Sequence, residues 1–534
     1  MTVSAERRSN VILWLVLTGS FLVYGAIAFP LPSVNEPHYL AKARHFWEPD
    51  WLAGDLFLDS ADAHVVYFVA FGWMLKFLSF EAVAWIGRAL GAALLAAGWL
   101  TAFTPWFRDR WSSLLAAWLF LGLQAMGNFS GEWVIGGVES KVFAYGFLLL
   151  AIGAWNRSWL VASAACLGLA ISWHPVVGAW GTLAVLLMRA REVMREVAVP
   201  RADLSLGARC RSAIGSLLSP TQLAAAGAFA VCALPGLIPA LALVLNRSEP
   251  SAEFAGTYIQ VFYRLKHHLD PMTFATWAWW MAGLQLGLWG LAYWWLRPAR
   301  GSVEARWHEL VWWLTVFAAV GVLVSFGPRP PANMPDYEWR MKLLKFYPFR
   351  VADVAVPIAC ALLVARGLEQ WLTSRIRWTT VTIVLALTLV SVNANAQHVR
   401  YRWTSSPDWI DACRWISRNL PPDALVQTPP DNYTFKWYAQ RREFVSFKDC
   451  PQDNAGIMEW NRRLQVLERF YRNHFSDGYS ADEMGELHRT TGITHLVTDK
   501  LGPIDLPVLY QNRLFRVYDL RAGEQGSPDN KAAD

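Results

Sequence analysis

A chain of 534 residues in which 54% are apolar, 31 are tryptophan and only 17% are charged is too apolar for a water-soluble globular enzyme. Its net charge of +6 is modest and its arginines fall mostly in short loops, which reads as membrane topology and excludes an electrostatic nucleic-acid partner. No P-loop, dinucleotide-binding glycine pattern, zinc-protease helix or nucleophile elbow occurs, which excludes ATP-driven pumps and soluble-type hydrolases.

The first apolar run follows Arg7 and Arg8 and ends on Ala26-Ile27-Ala28, a pattern like that of a signal peptide. At about 19 residues the run is long enough to span a bilayer and reads as an uncleaved anchor. Eleven spans are expected, at residues 11–29, 81–104, 111–126, 142–154, 159–173, 176–188, 222–245, 274–296, 310–326, 351–365 and 378–395. Residues 63–78 are also apolar but contain Lys76. If that segment crossed, every later basic loop would move to the side opposite Arg7 and Arg8. The positive-inside rule therefore makes it a re-entrant or surface-lying helix. The long polar loops at 31–62, 127–141, 246–273 and 327–350 then share the outer face with everything after residue 395.

The first of these loops packs ten charged or histidine side chains between two apolar segments. Pro37 fits the first turn of a helix, with Asn35 or Ser33 as its cap, and His38, Lys42 and His45 share one face by spacing. Glu36 is either a general base beside a membrane-embedded substrate or a carboxylate that favours the helix N-terminus. Asp55, Asp59, Asp62 and His64 are either oxygen-rich ligands for a divalent cation, Asp59 and Asp62 foremost, or a solvated loop.

In the second loop, Glu132, Glu139 and Lys141 surround Gly136-Gly137, where backbone can approach a ligand closely. Glu139 stands at the lip of a span, where charge is costly unless paired or wet. In 246–273, Arg264, Lys266, His267 and His268 suit a phosphate at headgroup level, or snorkel to lipid phosphates. In 327–350, Arg340, Lys342, Lys345 and Arg350 make a second cationic rim. His174, before Pro175, reads as an end-of-helix histidine. Cys166, Cys232 and Cys360 are apolar fillers in spans, and a Cys413–Cys450 disulfide is left open.

After residue 395 the pattern changes to alternating helices and short strands. Helices are expected after Ser406 and over 456–474 and 481–491, and strands at 424–427, 443–447, 494–498, 508–511 and 515–518. The fold class is thus an all-α polytopic membrane domain over 1–395, an exported α/β domain over 396–522, and a disordered tail over 523–534.

Three features carry a family resemblance. Asn35-Glu36 with Tyr39 stands where an acidic pair and an aromatic would stand in the first loop. His64 with Tyr67-Phe68 is similar to a His-Pro-Pro-Leu-Tyr-Tyr start of the surface helix. Residues 409–420 followed by Pro421-Pro422-Asp423-Ala424 are similar to the opening of an exported C-terminal domain. On these the chain resembles the GT-C superfamily of polyprenyl-phosphate-dependent membrane glycosyltransferases. That superfamily includes protein O-mannosyltransferases, lipid A aminoarabinose transferases and oligosaccharyltransferase catalytic subunits. The departures are Asn35 at the first acidic position, no prolines after His64, and Glu132 or Glu139 in place of an aspartate in the second loop.

The resemblance implies inverting transfer of a sugar from a polyprenyl-phosphate carrier to an exported glycan, lipid or protein acceptor. It implies Glu36 and Glu139 as catalytic carboxylates. His38, His64, Arg264, Lys266, His267, His268, Arg340 and Arg350 would bind substrate. The protein would be integral to a bacterial inner or plasma membrane, among membrane lipids, with a cytoplasmic N-terminus. The rival expectation is a non-catalytic lipid-carrier binder or a transporter on the same scaffold. Transporters carry ionisable residues near the midplane, whereas here these cluster at span ends.

Overall fold

The computed structural model describes residues 3–127, 129–198, 218–245, 250–400, 405–473, 478–499 and 503–523, with residues 207, 215 and 501 besides. The expected tail lies outside them, save Gly523. Every one of the eleven apolar segments is helical. Five helices, Arg7–Ala28, Phe80–Trp106, Pro220–Leu245, Val303–Ser325 and Ser374–Asn393, are long and apolar enough to cross a membrane, and the protein is integral to one. Ser112–Ala125 and Leu160–Trp173 have 14 residues each, about 21 Å of helix. Length and apolar composition together therefore support five of the eleven expected crossings. Ser140–Asn156 and Ala352–Trp371 are buried on nearly all sides and form the middle of the bundle.

Residues 63–78 fold as Val65–Phe71 continued by the 3-10 turn Gly72–Lys76, too short to cross at about 18 Å. This helix lies on Glu36–Trp47, whose Trp47 Nε1 donates to the Phe68 carbonyl at 3.0 Å. The approach needs a glycine, because a Cβ at Gly72 would stand 2.1 Å from the Ala43 carbonyl oxygen.

The C-terminal domain is a five-stranded sheet made of β1 (Leu425–Gln427), β2 (Arg442–Glu443), β3 (His495–Thr498), β4 (Val508–Gln511) and β5 (Arg516–Asp519). Its order is β2-β1-β3-β5-β4, with β1 parallel to both neighbours and β5 antiparallel to both of its own. Side chains alternate across it. Val497 and Val517 join Trp409, Cys413 and Ile416 of the Pro407–Asn419 helix, while Leu496 and Tyr518 join Trp460, Met484 and Leu487 from the other two helices. Ser406 accepts the Trp409 amide as an N-cap, and Ser480 and Glu483 form a reciprocal capping box. Cys413 and Cys450 are both free.

Of the second expected strand only Glu443 is paired, in the two-residue Arg442–Glu443. Beyond it the chain turns, Phe447 donating to the Pro430 carbonyl, and carries Lys448 and Asp449 toward the membrane domain. A short helix that sequence did not signal, Phe435–Tyr438, brings in Lys436. The Lys436 ammonium is buried 2.8 Å from Asp449, 3.0 Å from Glu443 and 3.5 Å from Asp55 of the first loop. Asp55 also accepts the Glu443 amide at 3.1 Å, and His38 Nδ1 meets Asp449 at 2.9 Å.

Substituting Lys436→Ala leaves three carboxylates buried without their cation and should cost about 3–5 kcal/mol. Limited proteolysis in detergent should then release the C-terminal domain from an intact membrane bundle. Unchanged resistance would mean that this contact does not hold the domain in place.

Candidate functional site

Glu36 begins a 12-residue helix whose N-cap is Asn35, yet neither Asn35 nor Ser33 caps with its side chain. The Ser33 amide instead donates to Glu36 at 2.7 Å. Arg88, inside an expected span, donates to both Glu36 oxygens at 2.6 and 2.8 Å and to the Phe29 carbonyl. The Val138 amide donates at 2.9 Å. Glu36 is fully buried in this charge-assisted set of hydrogen bonds. Of the glycine pair, Gly137 serves the same contact, since a Cβ there would stand 2.6 Å from Ser33 Oγ and 3.2 Å from the Glu36 carboxyl carbon, while one at Gly136 would meet the Trp133 and Phe29 rings.

Asn35, freed from capping, donates to Glu139 Oε1 at 2.6 Å. Lys141 lies between two acids, 3.4 Å from Glu139 and 3.3 Å from Glu132. Arg350 meets the other Glu132 oxygen at 3.0 Å and donates to His174 Nε2 at 3.0 Å. Burial works against the Arg350 charge, but Glu132 and neighbouring tyrosines outweigh it and raise its pKa. His174 is pushed well below its ordinary value, by burial first and then by Arg350, so it is a neutral acceptor. Asp353, at the start of the central helix, accepts the amides of Phe129, Ser130 and Glu132 and so fixes the loop that presents Glu132.

Arg264 is buried over the Phe447 ring and donates to the Lys448 carbonyl at 2.9 Å. The Lys448 ammonium has no hydrogen-bond or ion-pair partner among the described residues. Burial, and then the Arg264 guanidinium, push it down to about 8, while Glu139 and Asp449 pull the other way. His268 Nδ1 donates to the Ser130 carbonyl at 2.6 Å, while Lys266 and His267 are exposed at the rim. Arg340 is not brought to this cluster. It donates to the Val324 and Phe326 carbonyls at the end of Val303–Ser325.

In the first loop, Asp55 caps a short helix, Asp59 pairs with His45 at 3.0 Å, and Asp62 pairs with His64 at 2.7 Å. Among the described residues no group of three or more His, Cys, Asp and Glu is placed to hold a metal ion. Asp59 and Asp62, the expected cation ligands, thus each face a histidine in separate pairs.

The arrangement gathers Lys141, Arg264, Arg350 and Lys448 with Glu132 and Glu139 in a buried seam between the membrane helices and the C-terminal domain. Sequence reasoning missed Arg88, Asp353 and Lys448. Arg88 carried a signal, since an arginine in an apolar span needs a partner. Lys448 carried none, because it lies far along the chain in a soluble-looking segment.

A family model described as a domain of unknown function, DUF6798, matches residues 407–467. No curated protein matches. Among solved structures the chain is similar to ArnT from Cupriavidus metallidurans bound to undecaprenyl phosphate, with 14% identity, 97% of this chain and 98% of that chain covered, and a TM-score of 0.48. It is similar to the apo state of ArnT from Cupriavidus metallidurans at 13% identity, 98% and 100% coverage, and a TM-score of 0.43. It is also similar to the Archaeoglobus fulgidus oligosaccharyltransferase tethered with an acceptor peptide, at 12% identity, 91% and 69% coverage, and a TM-score of 0.37.

Two outcomes are expected from this geometry. Glu36→Gln leaves Arg88 buried without its charge partner and should cost about 3–5 kcal/mol, seen as a lowered melting temperature in detergent. An unchanged melting temperature would show that the pair does not brace the loop. For Lys448, the free protein carries the ammonium charge below about 8 and loses it above. A lipid phosphomonoester is already dianionic there, its second pKa being about 6. Any binding of a phosphomonoester should therefore weaken as pH rises through about 8, by about tenfold, the loss of one charge-assisted contact. Lys448→Arg should abolish the fall.

Proposed function

We propose that this chain is a membrane glycosyltransferase of GT-C type, moving a sugar from a polyprenyl-phosphate donor to an acceptor at the face that carries the C-terminal domain. The observation that carries the reading is the buried cation seam. In such a transfer the anomeric carbon–oxygen bond breaks and its electron pair goes to the phosphate, which changes from a monoanionic diester to a dianionic monoester. Arg350, Lys141, Lys448 and Arg264 would hold that phosphate, and fixed cations in a low-dielectric seam stabilise the charge as it grows. Glu139, presented by Asn35 and Lys141, would orient a sugar or acceptor hydroxyl. Glu36 would position the loop from its buried pair with Arg88. Lys266 and His267 would meet the membrane surface, His268 would support the Ser130 turn, and His38 would brace the C-terminal domain through Asp449.

A second reading has one observation in its favour. The carboxylate groups of Glu36, Glu132 and Glu139 are all engaged in contacts within the protein, as suits a non-catalytic carrier-binding protein.

Native mass spectrometry of the detergent-purified protein with polyprenyl phosphate and with ordinary phospholipids tests both. Polyprenyl phosphate should bind more tightly than phospholipid. Arg350→Ala and Lys448→Ala should each weaken it by about 10- to 100-fold, the loss of a charge-assisted contact. Turnover of a polyprenyl-phosphate sugar then separates enzyme from binder. Binding no stronger than that of phospholipid would remove both readings.

A further inference from the structure

A transferase that forms a new glycosidic bond must take a proton from its acceptor, and the glutamates of the seam are already occupied. Asp62 and His64 lie next to that seam. Asp62 Oδ1 is 2.8 Å from the His64 amide and 2.7 Å from its Nδ1, and both side chains are buried. The Lys42 ammonium, 3.9 Å from Oδ2, and the His64 amide both favour the charged carboxylate. A charged carboxylate can only accept. The 2.7 Å contact therefore outweighs the 3.3 Å approach of the Gln452 amide to the same nitrogen and fixes a proton on Nδ1. In the neutral ring Nε2 is then a lone pair, buried with no hydrogen-bond partner among the described residues.

The His64 ring adjoins the site. The ring stands edge-on to Tyr39 and His174, with centroids 5.3 and 5.1 Å away. His174 Nε2 in turn takes the Arg350 hydrogen bond. One imidazole thus separates His64 from the cation assigned to the donor phosphate. Asp62 also lines a cavity of about 690 Å³ whose walls are apolar at Phe46, Phe68 and Leu243 and polar at Lys42 and Asp453. The cavity reaches the pair at Asp62 and not at His64.

We propose that His64 is the general base of the transfer and Asp62 its positioning partner. The inference rests on the transferase reading and adds the proton acceptor that reading lacks. The acceptor O–H breaks and its proton moves to His64 Nε2, giving an imidazolium paired with Asp62. The acceptor oxygen bonds to the anomeric carbon as the bond to phosphate breaks, and the polyprenyl phosphate leaves with that electron pair.

The test is single-turnover solvolysis of a panel of polyprenyl-phosphate pentoses and hexoses by the full chain in nanodiscs, with methanol as surrogate acceptor. Binding of polyprenyl phosphate is measured in parallel. His64→Gln should slow formation of the methyl glycoside by about 100- to 10,000-fold, the span of a lost general base. Its affinity for polyprenyl phosphate should stay unchanged. Asp62→Asn keeps an acceptor for Nδ1 and should slow the reaction by about tenfold or more, again without loss of binding. Parental rates in both variants overturn the base and leave the transferase standing. Weakened polyprenyl-phosphate binding in His64→Gln makes His64 a phosphate ligand and overturns it too. A parent protein inert towards the whole panel removes both readings.

Discussion

The site exists because one buried lysine joins two halves of the chain. Lys436 faces Asp55 from the first loop and Glu443 and Asp449 from the C-terminal domain, one cation against three acids. Three full negative charges around one positive charge would be costly in a buried knot, and the groups are driven apart in response. Burial pushes the Glu443 carboxyl up, whereas Asp449, which burial alone would raise, is held well below its ordinary value by Lys436 and His38. Burial keeps His38 below its usual range, so it serves as a neutral donor to Asp449. Lys448 precedes Asp449, and its carbonyl takes Arg264. Fixing Asp449 therefore also places two of the four cations in the seam.

On the membrane side the corresponding constraint is Arg88. A guanidinium in an apolar helix is tolerable only with its donors filled, and Glu36 with the Phe29 carbonyl fills them. This draws the first and second loops together. Val138 donates to the same carboxylate, and Glu139, the next residue, then stands beside Asn35. The position of the acid nearest the cations thus follows from a pair of residues that touch no substrate in the proposed reaction.

Much of this was legible along the chain and some was not. Apolar run length placed all eleven bundle helices, and charge parity kept residues 63–78 out of the count of spans, because both signals are local. Alternation placed the strands of the sheet to within a residue or two, except for the second, where tertiary docking of Lys448 and Asp449 overrode strand preference after Glu443. The role of Glu36 could not be read locally, since its partner lies 52 positions away. The pairing of Asp62 with His64 was within reach, being two residues apart. The placement of Asp59 against His45 was not, since it needs the folded loop.

The crowded ion pairs of the seam fit an anion-exchange site. A buried cation is destabilised when it loses an anion, and much less when it trades one anion for another. Arg350 and Lys141 are at present balanced by Glu132 and Glu139, so an arriving phosphate has to substitute for a carboxylate contact. Lys448 has no carboxylate to give up, which makes it the natural first contact for the phosphate. Glu132, loosened from Arg350, keeps Lys141 within reach and is not left alone in a dry site. In the proposed reaction this exchange keeps the net charge of the seam near balance while the donor binds. It leaves the dianionic phosphate to be stabilised chiefly as the sugar departs, which is where a fixed cation contributes to rate rather than to affinity.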